Sequence, residues 1–464
     1  MEKTEISPVC FTTNKKDLEN AIKKVKHGVA KKSVLPILGS YLFEATDDKV
    51  TIRATDLEIQ IEVEIDNIVM SSDYRHYEES SFVVDAKTFE KILKTLPKDE
   101  EIELHYCNEE EDVWNLGIFA KNTSLHISTL DAEEFPCKIE LEKVDFQTEV
   151  NSNDLIKALT KVFPALSKDE TRPALNGVLF TYKDFHLNFV ATDSFRLAQD
   201  QIETFKDNIN TDKEIKVIVP RETISKLLKI TPKNSTVEIS IELLEKDNFA
   251  RIVLIVDNTR IVSRLIDAEF PKYEQLLPEF YYLDIITDKE ALLKAVERAK
   301  VILEKPSNSY YQSSDSSNSV IIETGDQLIV TSKQDDNIIT EEVEAIIEVN
   351  SKLESHIQKE QENLAKLEKE HIAVGKYATE EERAGKEVGL EIAMKTSENK
   401  IVAMEAIQSK NIRIGFNPDF LIDGLKAIEG EEVRIQLMSP LNPALIVEKD
   451  NSYSYLLMPV RLEV

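Results

Sequence analysis

Phe189-Val190-Ala191-Thr192-Asp193-Ser194-Phe195-Arg196-Leu197-Ala198 decides how this chain reads. Phe189-Val190-Ala191 ends an apolar strand, Thr192-Asp193-Ser194 is a turn, and Phe195 to Ala198 resumes the alternation of a strand. Taken alone, the stretch is a hairpin with an Asp turn. A cousin stands earlier, Ile52-Arg53-Ala54-Thr55-Asp56-Leu57-Glu58-Ile59, and both place Ala-Thr-Asp after a strand-like run. An internal repeat is therefore expected.

Working outward, the repeat extends to helices. Leu18, Ala21, Ile22 and Val25 carry helical spacing, and Asp17-Leu18-Glu19-Asn20-Ala21-Ile22 is answered by Asp154-Leu155-Ile156-Lys157-Ala158-Leu159. Glu290 to Val296 answers both more loosely, so that Leu18, Leu155 and Leu292 are spaced 137 residues apart. A second helix, Phe89 to Leu93 with Asp85 as its N-cap, recurs at Ile224 to Leu228 and Leu421 to Leu425. The first two blocks end alike, at Leu130 to Pro136 and Leu265 to Pro271, each closing on Phe-Pro. Three copies follow, each with two helices and six to eight strands, mostly antiparallel, the helices on one face: an α+β fold.

The copies are expected at 1–145, 146–280 and 281–464. The third is oversized, because its helix anchors lie 129 residues apart, against 71 and 69 in the others. The excess falls at about 351–405, where Ser351 to Glu370 is a charged helical run with a thin stripe of Leu353, Ile357, Leu364 and Leu367. A hairpin of helices suits this composition. Lys305 to Ser319, rich in Ser, Asn and Tyr, reads as a flexible loop.

The chain has 464 residues and a net charge of -29, with 42% hydrophobic content. This describes a folded soluble protein that does not wrap nucleic acid with its whole surface, though a local basic lining stays open. Cys10, Cys107 and Cys137 form no CxxC pair, so no disulfide framework or zinc cluster is expected, and a reducing compartment fits. The first residues lack the pattern of a signal peptide, and no apolar run suits a membrane span. The seven histidines make no HExxH, and no G-x-x-x-x-G-K-[ST] is present. Turn capping accounts for Asp56 and Asp193 better than paired catalytic carboxylates do. A cryptic hydrolase and a peptide-binding adaptor are the alternative readings.

The same residues resemble the bacterial replicative sliding clamp, the beta subunit of DNA polymerase III. The resemblance is carried by Arg172 to Phe180, Ala191 to Ala198, Phe270 to Pro278, Gly415 to Leu421 and the C-terminal Tyr455 to Leu462, and spans nearly all but the inserted arm. It implies a DNA-clamp fold closed as a head-to-tail homodimer ring around duplex DNA, with sheets outside and helices lining the hole. It implies a non-catalytic processivity factor in the cytoplasm, without cofactor or metal. Its implied partners are the replicative polymerase, the clamp-loader complex, and other polymerases and repair proteins bearing clamp-binding peptides, with no membrane.

The resemblance also implies a peptide pocket of Leu175, Thr192, Ser194, Phe195, Arg196, Leu197, Pro271, Gln275, Leu276, Phe420, Pro443, Leu456, Met458, Pro459, Val460 and Arg461. These residue types suit apolar anchors with a polar rim. Two positions depart from the family: Phe195 stands where many members carry histidine, and Gln275 where some carry arginine. Basic residues gather on the helix-bearing segments, and Lys23, Lys24, Lys26, Lys32, Lys91, Lys157, Lys161, Arg172, Lys226, Lys294 and Arg298 are expected to face DNA. Attraction to phosphate without base-reading contacts is what a sliding surface needs.

Overall fold

A computed structural model describes residues 9–462 except 47, 72–79, 99, 111–112, 210–213, 244–249, 279, 304–318, 374–379 and 450–451. The side chains of 107–110, 113–114, 206–209 and 380–384 are likewise outside the description. The loop expected at Lys305 to Ser319 therefore falls, Ser319 apart, outside the described residues.

Among the described residues the α-helices are α1 (Lys15–Val25), α2 (Ala86–Thr95), α3 (Ser152–Val162), α4 (Arg221–Ile230), α5 (Lys289–Leu303), α6 (Leu353–Ala373), α7 (Glu380–Gln408) and α8 (Pro418–Ala427). Local chemistry sets their ends. The Asn14 side chain accepts from Lys16 N, and Asp85 Oδ1 accepts from Thr88 N at 2.8 Å. Asn417 caps α8, with Pro418 in the first turn where a missing N–H costs nothing. Leu18, Ala21, Ile22 and Val25 form the buried stripe of α1. Lys15, in the first turn of α1, is buried too and donates to the Leu96 carbonyl.

The chain divides into two compact units, the first made of Met1–Leu159, Asp169–Phe189 and Ile202–Phe270. It holds a five-stranded sheet, ordered Val69–Met70, Val9–Asn14, Glu101–Glu110, Val113–Ala120 and Thr123–Ser128. Its nine-stranded sheet joins the first two copies. Thr259–Arg264 pairs antiparallel with Ile59–Glu64, Ile261 opposite Ile61, and both side chains are fully buried. Burying one such side chain contributes about 2 kcal/mol. Polar ties reinforce the seam: Lys226 reaches Asp56 at 2.9 Å, Lys24 donates to Asn258 at 2.7 Å, and Arg260 meets Glu62 at 3.3 Å.

The second unit is Thr160–Lys168, Val190–Gln201 and Pro271–Val464. Its main sheet runs Arg196–Glu203, Ser454–Leu457, Ala444–Val447, Glu432–Leu437, Leu283–Asp288 and Ala345–Val349. A four-stranded sheet follows the order Asn337–Val343, Leu328–Gln334, Val320–Thr324 and Arg413–Phe416. Between Ala345–Val349 and Arg413–Phe416 the chain runs through α6 and α7, which pack along each other. Ser397 donates to Glu360 at 2.6 Å across the pair, and Leu353, Ile357, Ile401, Met404 and Ile407 are buried. The described strand registers are antiparallel throughout, with two helices per copy besides the inserted pair, as expected of the α+β class.

Candidate peptide groove and basic helix faces

The turn that opened the sequence reading positions the site. Asp193 Oδ1 accepts from Phe195 N and Arg196 N at 2.9 and 3.0 Å, while Thr192 Oγ1 donates to the Arg196 carbonyl at 2.7 Å. Ser194 takes φ 79, which lets the turn close. The earlier cousin repeats this atom for atom. Asp56 Oδ1 accepts from Glu58 N and Ile59 N, Thr55 Oγ1 donates to the Ile59 carbonyl, and Leu57 takes φ 76. The two aspartates are turn formers, each holding its own backbone.

In the later copy the turn presents Arg196. Its Nε donates to Asp193 at 2.9 Å, Nη1 to Asp423 at 2.6 Å and to the Tyr455 hydroxyl at 3.3 Å, and Nη2 to the Pro164 carbonyl at 2.5 Å. Burial alone would lower its pKa, but Tyr455, Asp423 and Asp193 outweigh that and hold it further above the ordinary range. The guanidinium lies 4.2 Å from the centre of the Phe420 ring, whose carbonyl accepts from Tyr455 at 2.8 Å. Gly424 on α8 leaves room for the Tyr455 ring, since a Cβ there would fall 2.6 Å from it.

Over this rigid floor stand exposed apolar groups. Phe195 is 62% exposed, with its ring stacked 6.4 Å from Phe420, and Met458 is 41% exposed. Met458 N donates to the Phe195 carbonyl at 2.9 Å, fixing the two side by side. Leu197 opposes Leu456 in the strand pairing, both buried, and Thr192 is buried beneath the turn. Ala444 opposes Leu457, so Pro443 and Met458 leave their strands at the same end. Val460 N bonds the Gly415 carbonyl, Pro459 is half-buried and Arg461 exposed. Pro271, Gln275 and Leu276 lie exposed around the 3-10 turn Tyr273–Leu276 of the same unit. Leu175 is buried at the end of the 3-10 turn Pro173–Leu175 in the other unit. Sequence reasoning missed Asp423 and Tyr455, whose polar atoms converge on Arg196 from 227 and 259 residues away.

The basic residues divide. Lys23, Lys26, Lys32, Lys91, Lys157, Arg172 and Lys294 are exposed. Lys24 is half-buried, its pKa lowered by burial against the pull of Asp257 and Asp66. Arg298 is held by Glu341 through two contacts of 2.5 Å. Lys161 and Lys226 are corrections to the expected lining: both are buried rather than solvated. Lys161 sits 2.9 Å from Glu448 and 3.7 Å from Asp200, and Lys226 is bound to Asp56. Around the end of α1 the field is positive. The pKa of His27 is lowered first by burial and then by Lys26, Lys229, Lys226 and Lys31, drawn from both copies of the first unit.

Comparison with known proteins agrees with this architecture. Family models of the DNA polymerase III beta subunit match residues 9–140 with its N-terminal domain, 149–272 with its central domain and 364–461 with its C-terminal domain. The beta sliding clamp of Bacillus subtilis (strain 168) is 24% identical over 458 residues, 97% of this chain and 99% of that protein. The clamp of Staphylococcus aureus (strain Mu50) is 24% identical, covering 93% of this chain and 94% of that one. The crystal structure of the Bacillus subtilis DNA polymerase sliding clamp superposes with a TM-score of 0.74 at 22% identity, over 98% of this chain and 100% of that chain. The DNA polymerase III beta subunit of Thermotoga maritima gives 0.70 at 26% identity, over the same shares of the two chains. With the three domain models in order along it and the repeated turn, sheet and helix pairs beneath them, the chain belongs to the beta subunit family of bacterial DNA polymerase III, the beta sliding clamps.

Proposed function

We propose that the surface of Phe195, Arg196, Phe420 and Met458 seats a short linear peptide with an apolar or aromatic anchor. The observation that carries the reading is the pairing of two exposed apolar side chains, Phe195 and Met458, with a floor locked by the Arg196 contacts. Exposed apolar groups over a preorganised polar base are what a peptide anchor needs. As a member of its family the chain is a sliding clamp and processivity factor, which encircles duplex DNA and tethers the replicative polymerase. Its likeness to non-catalytic clamps supports a non-enzymatic role, with DNA, polymerase and clamp loader as the general classes of partner.

The finer reading is a head-to-tail homodimer of copies at 1–145, 146–280 and 281–464, working in the cytoplasm beside the nucleoid. Lys23, Lys26, Lys32, Lys91, Lys157 and Lys294 would meet phosphate, and the same groove would serve repair proteins. Fluorescence anisotropy with a labelled clamp-binding peptide tests the groove. Met458→Ser combined with Phe195→Ser should weaken binding by about tenfold or more, each lost anchor costing about 1–2 kcal/mol. Unchanged affinity in a folded variant would place the peptide elsewhere.

A further inference from the structure

Cys10 and His105 are 95 residues apart, so no spacing motif links them. The five-stranded sheet makes them direct partners, because Val9–Asn14 pairs with Glu101–Glu110 and places Cys10 opposite His105. Glu103, two residues along the same strand, points to the same face. Its Oε1 is 3.3 Å from Cys10 Sγ and 2.9 Å from His105 Nε2, and the three donor atoms lie within 4.8 Å of one another. Around a tetrahedral zinc ion, S, N and O ligands stand roughly 3.2–3.6 Å apart, given metal bonds of about 2.0–2.3 Å. The two separations from Glu103, 3.3 and 2.9 Å, are already near that spacing.

The surroundings hold the donors in place and leave Glu103 and His105 partly open to solvent. The His105 ring meets the edge of Phe119 at 5.2 Å. Gly117, opposite His105 on the next strand, makes room for the Phe119 ring, since a Cβ there would fall 2.7 Å from that ring. Cys10 is buried at 2% exposure, whereas the Glu103 side chain is 46% exposed and that of His105 32%. An ion could enter on the carboxylate side, with water completing the coordination.

We propose that Cys10, Glu103 and His105 form a zinc site that clips the strand Val9–Asn14 to its neighbour. Thiolate with imidazole selects zinc over magnesium or calcium, and the thiol proton leaves as the sulfur–metal bond forms. The site lies in the first unit, whereas the residues carrying the groove, Arg196, Phe420 and Met458, belong to the second.

Cobalt(II) is the probe, added to untagged full-length protein carrying Cys107→Ser and Cys137→Ser, because Cys137 is exposed and could bind metal by itself. One equivalent should bind with a thiolate-to-cobalt band in the near ultraviolet and tetrahedral bands in the visible, and zinc should bleach both. Cys10→Ser should lose the thiolate band. Glu103→Gln, altered at an exposed side chain that spares the fold, should weaken cobalt binding by about tenfold or more. Zinc should raise the melting temperature of the parent and not of Glu103→Gln. Absence of a thiolate band at tenfold excess cobalt, or a band surviving Cys10→Ser, would show that the trio is a hydrogen-bonded cluster only.

Discussion

Lys157 and Lys161 stand one helical turn apart on α3, yet only one is solvated. Lys161 is enclosed by Glu448 and Asp200, both buried, while Lys157 is exposed. Lys161→Met should therefore cost roughly 3 kcal/mol in urea unfolding, because it strands carboxylates in a dry site, and should leave the salt slope of DNA binding unchanged. Lys157→Glu should do the opposite, shifting stability by no more than about 0.5 kcal/mol and lowering that slope. Equal DNA defects in the two variants would contradict the division. Amphipathic spacing reads every lysine on such a helix as solvated, and here it misleads. The partner that buries Lys161 is 287 residues away and that of Lys226 is 170, so neither is visible in local pattern. The same positive field gives a pH dependence. Since His27 has a pKa below its ordinary 6.5, the folded chain binds that proton less readily than the unfolded chain. Stability then rises with pH up to about 6.5 and is lost as pH falls through that window. His27→Gln should flatten this part of the stability–pH curve while leaving stability at pH 7.5 nearly unchanged. An identical curve for the variant would show that His27 titrates without coupling to folding.

At the scale of elements, legibility follows the range of the forces. The Asp turns at Asp56 and Asp193 and the Asp85 cap were readable because each side chain bonds backbone two or three residues away. The helix pairs were readable from spacing, which reports burial on one face. The Arg196 floor was not, since it is assembled by strand pairing and α8. The α6–α7 pair shows where a thin apolar stripe misleads. Leu364 and Leu367 are only half-buried, but the base of the hairpin buries Leu353, Ile357, Met404 and Ile407, and Lys410 bonds the Ile347 carbonyl. The two ends of the hairpin should thus respond differently. Replacing 365–392 by a short Gly/Ser link should change the melting temperature by no more than a few degrees. Removing 351–408 should lower it by about 10 °C or more, through loss of several buried side chains worth about 2 kcal/mol each. Equal melting temperatures in differential scanning calorimetry would show that the base does not belong to the core of the second unit.

For the whole molecule, net charge and function set opposite demands. A chain of charge -29 is repelled by DNA in general, and we propose that attraction is confined to places where lysines gather, such as the α1 end around His27. Encirclement resolves the conflict, because a ring is retained by topology while its contacts to phosphate stay weak enough to slide. The most direct measurement loads the protein onto nicked circular DNA with a clamp loader and follows its retention by gel filtration at raised salt, before and after the circle is cut once. The clamp should stay with the circle in salt that abolishes ordinary phosphate binding, and run off once the DNA is linear. Release from the intact circle at the same rate as from the cut one would contradict it.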